Sequence, residues 1–368
     1  MTGAKRTGAE RGRVSDEPRP TDAGRVGGNR GLAGAEQEGE ERADSGTDGV
    51  RAGVERDEAT RRDSNALAAA AENPRARFLF VSGSRVAVEP GAERVLALSA
   101  GCVAPEARRR AVYLGLVDGA PYFACDVGDA DDSARDPRLV SRAIPAASRP
   151  AAVAEGDERA WSVSADFASV PLTSHLWPSV EAELAVEAVA ISNWIGGTRF
   201  CHRCGEPLSL RSGGWEMVCG RGHTVFPRVD PAVIMAVRDA EDRLLLARNG
   251  RWAPGRLSVL AGFVEAGEPL ESAVAREVLE ETGVVVDDVA YVTSQPWPFP
   301  RSLMLAFEGR TRARQEDVKV DGEELVFARF FSREEFSGAL ASGEIGLPTP
   351  TSVSARLIER WLGRPLAG

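Results

Sequence analysis

The residues from Leu270 to Thr282 constrain this chain more than any others, because drawn as a helix they put carboxylates on their own apolar face. Positions at offsets 0, 3, 4, 7, 8 and 11 from Leu270 share one side of an α-helix. They are Leu270, Ala273, Val274, Glu277, Val278 and Glu281, with Glu280 at the edge of the stripe. A solvated helix keeps its acids opposite the apolar stripe, since an unpaired carboxylate taken out of water costs several kcal/mol or becomes protonated. This helix must therefore lie on an apolar layer and present three acids to something cationic, for which a metal ion is the simplest candidate.

The flanking sequence supplies the layer. "AVIMAVRD" and "RLLLAR" read as strands around a turn, "LSVLAGFVE" as a strand running into a loop, and "VAYVTSQPWPFPRSLMLAFEGR" as strands around a Pro-rich loop. "ELVFARFFSREEF" follows, and "TSVSARLIERWL" closes the chain as a helix. Upstream, "RFLFVSGSRVAVE", "RVLALSA" and "AVYLGLVDGAPYFACDV" are β-branched and aromatic runs, with "VDGAP" as a hairpin turn. "SVEAELAVEAVAISNWI" leads out of them as a helix, with Val180, Leu184, Ala188, Ile191 and Ile195 at helical spacing. Cys102 and Cys125 read as buried thiols of this region.

The first 74 residues contain no aromatic side chain and too little apolar surface to offset the entropy of ordering. The expected organisation is α+β: a disordered polar tail over 1–74, a mostly β N-terminal domain over 75–197, a small metal-binding ribbon over 198–229, and a C-terminal α/β domain over 230–368. The sequence shows no internal repeat.

The ribbon rests on two short ligand pairs. Cys201 and Cys204 form a C-x-x-C knuckle, and after fourteen residues Cys219 and His223 form C-x-x-x-H. Tetrahedral Zn²⁺ takes Cys and His in such pairs, each folded back on the ion by a tight turn, and with four protein ligands the ion is structural. His202 reads as outward-facing. The other reading is a set of reduced cysteines without metal.

Around the acidic helix stands "GFVEAGEPLESAVAREVLEETGV", Gly262 to Val284, which fills every fixed position of G-x5-E-x7-R-E-U-x-E-E-x-G-U, U being aliphatic. It resembles the signature of the Nudix hydrolases, which bind divalent metal and hydrolyse a nucleoside diphosphate linked to another moiety. The resemblance implies that 230–368 is an α/β/α sandwich with a mixed sheet and that Glu277, Glu280 and Glu281 hold Mg²⁺ or Mn²⁺, with Glu281 the leading general base as well as a ligand. Hard oxygen donors suit those ions. Arg276 and Glu268 would pair to brace the loop, and Gly262 and Gly283 would permit the turns. Glu324 in "DGEELVFARF" aligns with a further metal-binding Glu, its other reading being a solvated loop acid.

A second array narrows the resemblance. "SQPWPFPRSLM" follows the box and the ribbon precedes it, an order similar to the NADH pyrophosphatase (NAD diphosphatase) branch. In that branch Ser294, Gln295, Pro296, Trp297, Pro298, Phe299 and Pro300 would help select NAD(H); read alone, they are a rigid Pro loop with a packed Trp. The resemblance further implies a homodimer in which the nicotinamide stacks between Phe263 and Phe226 of the partner subunit, although both positions also read as core. Ser354 falls where the family lines the substrate site. The final C-x-x-C of the usual ribbon is here C-x-x-x-H, and the long polar tail has no counterpart.

The implied activity is metal-dependent hydrolysis of NAD(H) to NMN(H) and AMP, and removal of NAD caps from RNA. The alternatives are a Nudix hydrolase for ADP-ribose or CoA, and a silent nucleotide-sensing regulator, which would be expected to lose the glutamates kept here. A net charge of -10 argues against broad electrostatic grip on nucleic acid and leaves room only for local basic sites. With no apolar run of membrane-spanning length and no apolar signal core at the N-terminus, a soluble cytoplasmic protein is expected.

Overall fold

The computed structural model describes residues 53–128, 165–320 and 322–366, and the chain is already folded where the first of these begins. Helices α1 (Glu58–Arg62) and α2 (Ser64–Glu72) lie inside the stretch expected to be a polar tail. The Asp63 carboxylate accepts from the N–H groups of Asn65 and Ala66 at the start of α2, and Val54 and Ala71 are buried. Averaged over 74 residues, the composition hid one short Ala-rich helix. The remainder of the expected tail, 1–52, lies outside the described residues.

The first sheet contains β1 (Arg77–Ser82), β2 (Arg85–Val88), β3 (Leu98–Ser99), β4 (Val112–Val117), β5 (Ala120–Asp126) and β6 (Asp166–Ser169). Asp118 and Gly119, at φ 49° and 70°, make the two-residue turn between β4 and β5, a left-handed pair that matches strand twist. Helix α3 (Pro105–Arg110) precedes β4, and α4 (Ser179–Gly197) packs Leu184, Ala188 and Ile191 into the core. Strands β7 (Leu208–Arg211), β8 (Glu216–Cys219) and β9 (Thr224–Val225) form the small ribbon sheet. It leans on the first body, where the Trp215 indole donates to the Tyr113 carbonyl at 2.7 Å.

The second large sheet contains β10 (Asp230–Arg238), β11 (Leu244–Asn249), β12 (Leu260–Phe263), β13 (Asp287–Trp297), β14 (Ser302–Arg310) and β15 (Leu325–Phe331). Helix α5 (Leu270–Thr282) covers one face, and α6 (Arg333–Ala341) and α7 (Val353–Leu362) the other. Strand β10 shows the layering residue by residue: Val233, Met235 and Val237 enter the core under α5, while Ile234 and Ala236 enter the core under α6 and α7.

The two large sheets are built alike. Their strand orders are β4-β5-β1-β2-β6 and β13-β14-β10-β11-β15, with β3 and β12 joining β1 and β10. Corresponding pairs agree in direction, including the one parallel pair in each, β1 with β5 and β10 with β14. The sequence, which shows no repeat, is thus corrected by the topology. The difference that matters is between the third and fourth strands of each sheet: thirteen residues of α5 in the second body, six residues of α3 with a single acid, Glu106, in the first. Among the described residues, no helix is long and apolar enough to cross a membrane.

Candidate active site

Helix α5 buries Ala273, Val274 and Val278, and stops at Gly283, whose φ of 68° a side chain would resist. Its acids do not all point one way. The carboxyl of Glu277 lies directly against Gly262 of β12: a Cβ at position 262 would come within 1.9 Å of its carbon. The missing side chain is therefore the space that the carboxylate occupies. Arg276 collects the neighbouring acids. Its guanidinium donates to both oxygens of Glu268 at 2.8 and 2.9 Å, to Glu277 and Glu280 at 3.0 Å each, and to the carbonyl of Phe263 at 2.9 Å.

These contacts set the charge states. Hydrogen bonds from Arg276 and from the Glu265 N–H hold the Glu268 carboxyl below its ordinary range, and the same ion pair holds the Arg276 proton more tightly. Burial pushes Glu277 upward despite Arg276, helped by the charges of Glu280 and Glu324. Glu281, only 7% exposed, instead lines a cavity of about 240 Å³ together with Glu324. A cluster of acids on one Arg, backed by a glycine cradle and offering only carboxylate oxygens, fits a hard divalent ion. Among the described residues, the donor atoms already drawn together as a closed group are those of the ribbon.

The remaining walls of the cavity come from strands β10 to β15, the loop 249–258 and the segment 348–354. The "SQPWPFP" array was expected as one substrate loop, but its first half is strand, and strand alternation divides it. Trp297 lines the cavity with Glu281; Ser294, Pro296 and Pro298 line a second cavity of about 790 Å³ beside α4 and Trp215; and Gln295 borders both. Phe299 packs against the core of the first body, and Asn193 of α4 donates to the carbonyls of Pro298 and Pro300 at 2.7 and 3.3 Å. Gln295 also has both ends of its amide engaged: it donates to the Thr351 carbonyl at 2.6 Å and accepts from the Val353 N–H at 2.7 Å. It thereby fixes the entry to α7, where Ser354 is buried with its Oγ 2.7 Å from that of Ser258.

Phe226 and Phe263, which also read as core, are 65% and 61% exposed. The residues that sequence reasoning missed are Asn249, Trp252, Arg256 and Ser258, on the loop after β11 and at its return. They carry no motif spacing. The hydrogen bonds from Gly250 N–H to the Glu324 carbonyl and from Gly346 N–H to the Gly255 carbonyl are what bring that loop over the cavity.

In the ribbon, Cys204 Sγ lies 3.7 Å from Cys219 Sγ, and Cys201 Sγ lies 3.6 Å from His223 Nδ1. Zn–S bonds of about 2.3 Å in a tetrahedron place sulfurs about 3.8 Å apart, close to both of these distances, and all four donor atoms lie within 4.8 Å of one another. Burial opposes ionisation of Cys201, but N–H groups of Arg203 and Cys204 outweigh it and hold the thiol at about 6, in the thiolate form that binds metal. His202 is exposed, as expected.

Comparison with known proteins joins these observations. The family model described as NUDIX domain matches residues 228–348. An NAD-capped RNA hydrolase NudC of Mycobacterium bovis (strain BCG / Pasteur 1173P2) is 37% identical over 304 residues, covering 80% of this chain and 88% of that one. This chain belongs to the Nudix hydrolases, in their NADH pyrophosphatase branch. The family model described as NADH pyrophosphatase-like rudimentary NUDIX domain matches residues 72–194, the body whose sheet repeats the Nudix topology without the acidic helix. An NAD-capped RNA hydrolase NUDT12 of Macaca fascicularis is 38% identical over 195 residues, covering 50% of this chain and 42% of that one. A Nudix hydrolase of known structure from Nitrosomonas europaea aligns with 46% of this chain and 97% of its own, at 21% identity and a TM-score of 0.36.

Proposed function

We propose that this Nudix hydrolase cleaves the diphosphate of NAD(H) with Mg²⁺ or Mn²⁺, giving NMN(H) and AMP, and that it removes NAD from the 5′ ends of capped RNA. The observation that carries this reading is that Glu281 of the Nudix helix and Gln295 and Trp297 of the branch-specific strand line one cavity. The names of the relatives point the same way.

Glu277, Glu280, Glu281 and Glu324 would hold the divalent ion, which neutralises diphosphate oxygens and eases ionisation of water when bound. Glu281, buried at the cavity wall, takes the proton of the attacking water as general base. Arg276 and Glu268 brace the loop between β12 and α5, keeping Glu277 in its cradle at Gly262. Water adds to one phosphorus and the P–O–P bond breaks, so one nucleotide leaves as NMN(H) and the other as AMP. Cys201, Cys204, Cys219 and His223 would hold one structural Zn²⁺ per subunit.

Two further assignments belong to this reading. The exposure of Phe226 and Phe263 suits a homodimer in which the nicotinamide lies between Phe263 and Phe226 of the partner subunit. The domains would run as expected from the sequence, with the polar tail ending before residue 53. The test is turnover of NADH, ADP-ribose and CoA at matched concentrations with Mg²⁺ or Mn²⁺. The expected result is NMNH plus AMP with NADH preferred; preference for ADP-ribose or CoA would contradict the assignment.

A further inference from the structure

Beyond the acids, the charged side chain lining the cavity of Glu281 is Arg256. It is exposed at the cavity mouth, its guanidinium 5.3 Å from the ring centre of Trp252, and among the described residues no carboxylate pairs with it. Arg276, beside the acids, is fully committed to Glu268, Glu277 and Glu280. The loop that carries Trp252 and Arg256 is fixed at both ends. The Gly250 N–H bonds the Glu324 carbonyl, and Gly255 and Leu257 bond Gly346. Arg256 therefore stands over the cavity as a preorganised, uncommitted cation.

Strand β12 orders the site. Leu260 and Ala261 border the cavity, Gly262 meets Glu277, and Phe263 lies beyond, exposed. A dinucleotide whose diphosphate lies at Glu277 and Glu281 thus has one half in the cavity and the other toward Phe263. At about 240 Å³ the cavity is below the ~300–1,000 Å³ of pockets that enclose whole ligands, which suits one nucleoside and not two. The half in the cavity faces Arg256. The oxidised nicotinamide ring is itself cationic and is repelled there, whereas adenine is neutral and can stack on Trp252.

We infer that Arg256, with Trp252, recognises a phosphate ester on the adenosine ribose of the substrate, an anion that NAD(H) lacks. This inference rests on the function proposed above. Two substrates supply that chemistry: the first 3′-phosphodiester of an NAD-capped RNA and the 2′-phosphate of NADP(H). A bidentate guanidinium contact suits either.

The test measures affinities of AMP, adenosine 3′,5′-bisphosphate and adenosine 2′,5′-bisphosphate by calorimetry with Mg²⁺ present, for the wild type, Arg256→Glu and Arg256→Gln. Wild type should prefer one bisphosphate to AMP by roughly tenfold or more, and both variants should lose that preference. Preference for the 3′,5′ compound identifies the RNA linkage as the source, and preference for the 2′,5′ compound identifies NADP(H). Equal affinity for all three ligands in the wild type, or a preference that survives both substitutions, would overturn the inference. Turnover of NADH by the same wild-type sample separates these outcomes from failure of the underlying functional reading.

Discussion

At the scale of single residues, the site depends on which side chains are committed and which are not. Gln295, expected to help select the substrate, lines the cavity with its amide held by the backbone of Thr351 and Val353. Gln295→Leu should leave that carbonyl and N–H unpaired, lowering stability by roughly 1–3 kcal/mol and raising KM for NADH as the entry to α7 loosens. An unchanged melting temperature and KM would contradict this positioning role for Gln295. The acids of α5 were legible because helical periodicity puts Glu277 and Glu281 on the apolar stripe. The strand in "SQPWPFP" was not, since its prolines suggested a loop and hid a strand whose residues border two cavities. Trp252 and Arg256 were invisible for a different reason: only tertiary hydrogen bonds carry their loop to the cavity.

At the scale of elements, α4 and the ribbon each carry an ionisable group whose charge state is set by its surroundings. Glu187 sits on the buried side of α4, paired with Arg56 and Arg61 and near Glu183, and burial pushes its carboxyl from 4.5 up to about 7. Between those values the folded protein holds a proton that the unfolded chain has released, so this group's contribution to stability falls as pH rises and levels off above about 7. Glu187→Gln should remove that loss, on the order of 3 kcal/mol, so the variant gains on wild type in melting temperature between pH 5 and pH 8. A constant difference across that range would refute the assignment. In the ribbon, Cys201→Ser should abolish stoichiometric metal and lower the melting temperature while affecting kcat less. Full metal retention with unchanged melting would count against a zinc shell. The ligand spacing was readable because both pairs are local in sequence. Helices α1 and α2 were not, because a 22-residue island of structure is diluted by the polar stretch before it.

At the scale of the whole molecule, two sheets among the described residues share one topology, and the helix between their third and fourth strands carries the cluster of acids in the second alone. The duplication could not be seen in the sequence, because strand order is a property of pairing, and residues that merely alternate in and out of a core need share no identity. The acids proposed to carry the chemistry therefore stand in the second body. The first body supports it through α4, whose Asn193 grips the Pro298 and Pro300 carbonyls at the end of the branch-specific array. The central claim is that Glu281 performs metal-dependent hydrolysis of NAD(H), and the most direct measurement is NADH turnover with Mg²⁺ or Mn²⁺ by wild type and Glu281→Gln, with products separated. The account predicts NMNH and AMP in equal amounts from the wild type, and a roughly 10²–10⁴-fold lower kcat in a variant that remains folded. Turnover by Glu281→Gln at the wild-type rate, or no metal-dependent turnover by the wild type, would contradict it.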